Sequence, residues 1–260
     1  MLIAWRIVLA GWLLAWFINT PANLILFWRG GDFPITAHPL IPELYRAPWL
    51  AQMSLTLPIL GAAGFGFAHP RLLGGIAVLL GLCSLLLLGH IFSYNDATYT
   101  TAFWTSLWLI WGASRLSSTV ASAGTVHHAI ALGQGIIGLC FFGGFIGKLT
   151  PEYWSGEAFF HLYMVQKDSP PFIWIREHCS PQTMRYWATW FARVMVVSEG
   201  LLTTLILWPT RFAAIGTACV FALMILLATP QLLSVLGSLG GLMAACVFLS
   251  ERRSPATEDR

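Results

Sequence analysis

Phe141-Phe142-Gly143-Gly144-Phe145-Ile146-Gly147-Lys148-Leu149-Thr150-Pro151-Glu152-Tyr153-Trp154-Ser155-Gly156-Glu157-Ala158 is the stretch from which the fold is read. It begins as an apolar, glycine-lined helix and runs out at Lys148, one of only two lysines in the chain, the other being Lys167. A Thr-Pro turn and an aromatic, acidic segment follow. An apolar helix that ends in a cation marks a membrane boundary. An ammonium placed there either snorkels to the interface or, where it is desolvated, gives up its proton readily and serves as a base. The spacing leaves both readings open.

The composition extends the membrane reading to the whole chain. Of 260 residues, 57% are hydrophobic and 10% charged, against about 25% charged in soluble domains. So little charge does not cover a water-facing surface. The expected fold is an all-α, polytopic membrane helical bundle of about eight transmembrane helices. It forms a single integral-membrane domain over residues 1–250, with a polar tail at 251–260, and the expected location is the plasma (bacterial inner) membrane. Thirteen tryptophans suit interfacial belts and apolar packing. The net charge of +3 comes from scattered arginines. With no basic run, nucleic acid is excluded as a partner and membrane lipids are expected. Cys83, Cys140, Cys219 and Cys246 lie in apolar segments and Cys179 in a polar loop, which gives neither a disulfide framework nor a metal-binding spacing. The first apolar segment lacks a cleavage signature and reads as a retained helix.

Apolar runs predict spans near Ile3–Trp28, Trp49–Ala68, Leu72–Phe92, Thr100–Ala113, Val126–Gly147, Tyr186–Trp208, Phe212–Thr229 and Gln231–Leu249. The stretch Arg29–Pro48 is proline-rich and extramembrane. Lys148–Arg185, the longest connection, reads as a structured cap or re-entrant piece. Glycines along the fifth span, including Gly133, Gly138, Gly144 and Gly147, invite close helix approach. An even number of spans places both termini on one side. The basic residues of the short loops and tail favour the cytoplasm for them, with Lys148, Arg29–Pro48 and Ser93–Tyr99 on the opposite side.

Few residues in such a chain can do chemistry. Glu199 falls mid-span, where an unpaired carboxylate costs about 2.5–3.5 kcal/mol on insertion scales. It needs a partner, and Arg193, six residues earlier, points to a different face. Asn95, Asp96 and Tyr99 form a second polar knot, in which Asp96 and Tyr99 share a face if the fourth helix begins there. An ordinary polar loop is the alternative. His127 and His128 are adjacent, about 100° apart on a helix, and do not chelate one ion. Glu157 and His161 have the i, i+4 spacing of a pH-sensitive pair.

The run from Gly144 through Lys148-Leu149 and Trp154 to Gly156-Glu157-Ala158 resembles the horizontally transferred transmembrane domain (HTTM) family, to which the membrane portion of vitamin K-dependent gamma-carboxylase belongs. Trp5-Arg6, Pro48-Trp49-Leu50, the Asn95 knot, Glu199 and Arg211 follow in the family's order. The resemblance implies that Lys148 is a base acting on a quinone-like or lipidic molecule, with Asn95, Asp96, Tyr99 and Glu199 orienting it. It makes Gly144 and Trp154 candidates for holding that molecule. Ala97 stands where the carboxylase has a histidine, and the carboxylase's large soluble domain has no counterpart in these residues. The expectation is therefore proton chemistry without full glutamate carboxylation. The second half, with Glu199-Gly200-Leu201, is also similar to the DoxX-like family, some of whose members are quinone-linked oxidoreductase subunits. Set against an enzyme is a non-catalytic membrane subunit that assists peptide maturation or export, or stabilises a larger complex through a protein or peptide partner.

Overall fold

The computed structural model describes residues 1–28, 48–62, 72–88, 96–116, 122–166, 170–227 and 230–252. Among these residues the chain is almost entirely helical and contains no strand. The order is α1 (Leu2–Trp28), α2 (Pro48–Gly61), α3 (Leu73–Leu88), α4 (Asp96–Ser114) and α5 (Ala123–Gly147). Then come α6 (Pro151–Trp154), α7 (Glu157–Phe159), a π-helical segment (Phe160–Val165) and α8 (Pro170–His178). The chain continues with α9 (Pro181–Leu205), α10 (Thr210–Leu227) and α11 (Pro230–Glu251). Three of these helices contain segments long and apolar enough to cross a membrane: Leu2–Thr20, Ala123–Gly147 and Leu233–Glu251. Leu73–Leu88 and Thr210–Met224 are apolar but shorter. Most of the expected Arg29–Pro48 stretch, Asn95, Lys167 and nearly all of the 251–260 tail lie outside the described residues.

The chain divides into two compact units: residues 1–133 with 233–260, and residues 134–232. In the first, α1 presents Trp5, Trp12 and Trp16 on one face, all at most 1% exposed. Each indole N–H donates to a main-chain carbonyl of a neighbouring helix: Trp5 to Leu109 at 2.8 Å, Trp12 to Ala102 at 3.0 Å and Trp16 to Leu55 at 2.8 Å. Trp108 on α4 does the same to Ala129 on α5 at 2.9 Å. In lipid no hydrophobic force draws helices together, so packing and such bonds, each worth roughly 0.6–2 kcal/mol, set the association. These four tryptophans are buried core anchors.

In this unit α1 and α11 approach backbone to backbone at their glycines. A Cβ on Gly11 would lie 2.5 Å from the Gly237 carbonyl oxygen and 2.8 Å from the Gly241 Cα. Only glycines allow that backbone approach. The fifth span, whose glycines were expected to allow close helix approach, uses them unevenly. Gly133 and Gly138 make room for Cys246 and Ile206 side chains, whereas Gly135, Gly143 and Gly147 face open space. A neutral polar knot lies in the same unit. Asn19 Nδ2 donates to Thr98 Oγ1 at 2.7 Å and to Ser234 Oγ at 3.2 Å, Thr98 and Ser234 bond each other, and Ser238 donates to Thr101 at 3.0 Å.

In the second unit the long connection proves to be mostly helix. Two of its Ser/Thr-Pro pairs start helices, including the Thr150-Pro151 pair expected as a turn. Thr150 caps α6 by accepting from the Tyr153 N–H, with Pro151 at the first helical position. Ser180 caps α9 by accepting from the Thr183 N–H, with Pro181 following it. Proline suits that position because its missing N–H would lack a helical partner anyway. So α9 begins five residues before the expected Tyr186. Between α6 and α7 the chain reverses at Gly156, which has a positive φ of 84° and whose Cβ position lies 2.5 Å from the Thr189 backbone. Left-handed geometry and contact both demand glycine there. Phe159, Phe160, Met164 and Phe172 pack inside this cap, with Phe159 stacked on Tyr163 at 4.8 Å and set against Phe172 and Phe191.

Candidate functional site: a buried lysine–glutamate pair

The last turn of α5 ends at Gly147, and Lys148 follows it with its N–H still bonded to the Phe145 carbonyl. Its ammonium meets Glu199 from the C-terminal third of α9. Lys148 Nζ lies 2.7 Å from both Oε1 and Oε2 of Glu199. The carboxylate side chain is 4% exposed and the lysine 21%. Two short charge-assisted bonds satisfy the carboxylate that the sequence left in need of a partner. The third N–H direction is held only loosely, by the Gly144 carbonyl at 3.5 Å.

Gly144 makes the approach possible. A Cβ at that position would sit 3.0 Å from Glu199 Oε2 and 3.5 Å from Lys148 Nζ. Arg193, the nearest cation on α9 in sequence, is engaged elsewhere. Its Nε donates to the Trp154 carbonyl at 3.3 Å, and its guanidinium lies 5.5 Å from the Trp154 ring centroid. Trp154 itself is about half-exposed.

The Thr150 cap folds Tyr153 back toward the lysine, whose Nζ lies 5.9 Å from the ring centroid. Tyr153 is 8% exposed, and its phenol oxygen is buried with no hydrogen-bond partner. Leaving a buried hydroxyl unpaired costs roughly 1–3 kcal/mol. Burial pushes the Tyr153 phenol well above its ordinary range, with Tyr163 and Glu199 adding to the effect. Tyr163 is raised for the same reasons, burial first and then Glu199. Both phenols therefore remain protonated donors. Neither phenol was among the expected site residues. The available signal was Tyr153 standing three residues after a Thr-Pro helix start and five after the lysine.

Of the other expected site residues, Tyr99 is buried in the first unit with its ring 5.4 Å from that of Trp16. Asp96 is the first residue of α4. Glu157 and His161 do pair, at 2.8 Å, and Arg185 joins them through the second carboxylate oxygen. The hydrogen bond from His161, and then the charge of Arg185, hold the Glu157 carboxyl below its ordinary value. This cluster is exposed to solvent. His127 and His128 stand with ring centroids 6.1 Å apart.

No protein-family model, curated protein or solved structure matches this chain.

Proposed function

We propose that this chain is a polytopic membrane protein of about eight spans, related to the HTTM family. In this reading the Lys148–Glu199 pair exchanges a proton with a quinone-like or lipidic molecule. The observation that carries the proposal is the bidentate contact, 2.7 Å from one ammonium to both oxygens of a buried carboxylate. A charged pair in a low-dielectric site is stable only with good geometry. It also forms a ready proton couple. Glu199 takes the proton from an acidic hydroxyl of the bound molecule. Lys148 faces the oxygen that becomes negative and stabilises it, as a preorganised charge does in a water-poor site. The base is thus the couple rather than the amine alone, and Gly144 permits its closeness. The expected setting is the bacterial inner membrane, with lipids as surroundings.

The test uses the full chain in lipid nanodiscs with a short-tailed benzoquinone and its hydroquinone. Binding is read by tryptophan fluorescence quenching, and ionisation by the absorbance of the bound hydroquinone. The native protein is expected to bind and deprotonate it. Lys148→Ala and Glu199→Gln are expected to lose ionisation at least about a hundredfold, the loss of one strong electrostatic contact. Full ionisation by both variants would end this reading.

A non-catalytic membrane subunit is the second reading. It draws on the exposed Trp174, Tyr186, Trp187 and Trp190 around the start of α9, since aromatic side chains are enriched where proteins meet. It predicts a co-purifying protein that is lost when Trp187 and Trp190 are both changed to alanine.

A further inference from the structure

We propose that the phenol of Tyr153 is a ligand-binding hydrogen-bond donor, and that the molecule held at the Lys148–Glu199 pair presents one oxygen acceptor to both Tyr153 and Lys148. The inference rests on the proton-exchange reading of that pair and adds the chemical class of what it holds.

Three observations lead to it. The Tyr153 hydroxyl is buried without a partner. A phenylalanine would fill the same space without leaving that donor unpaired. The backbone of Tyr153 is fixed by the Thr150 cap, which accepts from its N–H at 3.3 Å and so sets the ring near the ammonium. The ammonium, for its part, spends two N–H groups on Glu199 and only a long 3.5 Å contact on the Gly144 carbonyl. Two donors with capacity left over thus lie close together, the ammonium 5.9 Å from the centroid of the phenol ring. A carbonyl or phenolate oxygen has two lone pairs and accepts from both. A plain acyl chain offers neither donor anything. A group that only donates can meet the phenol oxygen but offers the ammonium nothing.

The experiment compares Tyr153→Phe with the native chain in nanodiscs. The probes are a short-tailed benzoquinone and the same ring and tail with methyl groups in place of the ring oxygens. Tyr153→Phe is expected to weaken benzoquinone binding about tenfold, the weight of one hydrogen bond, and to leave binding of the oxygen-free probe unchanged. The infrared carbonyl stretch of the bound quinone, lowered in frequency in the native chain, is expected to move back toward its value in lipid. Thermal stability without ligand is expected to be equal or higher, because the removed hydroxyl bonds nothing. Unchanged affinity and carbonyl frequency in Tyr153→Phe, while Lys148→Ala still abolishes ionisation, would overturn this inference and leave the proton-exchange reading standing. A clear drop in thermal stability would also overturn it, since the phenol would then have a structural partner. No quinone binding by the native chain would remove both.

Discussion

The two compact units solve the problem of buried polarity in opposite ways. Residues 1–133 with 233–260 bury neutral groups and satisfy them: indoles donate to carbonyls, and Asn19, Thr98 and Ser234 close a hydroxyl–amide knot. Residues 134–232 bury a full charge pair and leave the nearby phenol of Tyr153 unanswered. Satisfied neutral networks rigidify a fold. A charge pair costs desolvation that apolar packing would not. On the proposed reading, the pair and the unpartnered donor beside it serve ligand binding rather than stability.

The difference can be broken most severely at the α1–α11 seam. Gly11→Leu forces a side chain into the backbone of Gly237 and Gly241. The expected outcome is loss of a monodisperse folded peak in fluorescence-detected size exclusion. Gly135→Leu, where nothing lies within 4 Å, is expected to leave that peak intact. Equal behaviour of the two would show that the first unit does not depend on this contact.

A smaller effect sharpens the contrast at the charge pair. Lys148→Ala strands the Glu199 carboxylate and is expected to destabilise the protein by about 3–5 kcal/mol, the usual loss when one member of a buried pair is removed. The double change Lys148→Met with Glu199→Leu is expected to recover most of that, because matched apolar residues often replace such pairs without loss. Denaturant titration of the single and double variants measures both. If the double variant stays as unstable as the single one, the pair is a structural clamp and the contrast between the units fades.

The smallest effect belongs to the exposed cluster of Glu157, His161 and Arg185. Because the Glu157 carboxyl is held below its ordinary value of 4.5, its contribution is present above that pH and fades as the medium is acidified through the lowered value. Salt is expected to weaken it further. Comparing melting temperatures of native chain and Glu157→Gln across that range checks the sign: the two should converge at low pH.

Much of this was legible in the linear chain. Long apolar runs dictated helices long and apolar enough to cross a membrane, where a backbone must satisfy its own hydrogen bonds. Scarcity singled out Lys148, and burial cost singled out Glu199 as a carboxylate in need of a partner. That these two meet each other was decided by the tertiary fold. They lie 51 residues apart; helix spacing sets Arg193 on a different face, but nothing local names Lys148 as the partner. The capping roles of Thr150 and Ser180 were within reach of sequence rules, yet the same Thr-Pro and Ser-Pro pairs also suit turns, and only the following helical hydrogen bonds separate the two. The glycine seam was chosen by which helix faces which: α5 carries more glycines, but α1 and α11 are the pair whose backbones touch. Tyr153 stayed hidden for the same reason. An aromatic after a helix start looks alike whether its hydroxyl meets water or is sealed beside an ammonium, and that depends on distances across the fold that no periodicity encodes.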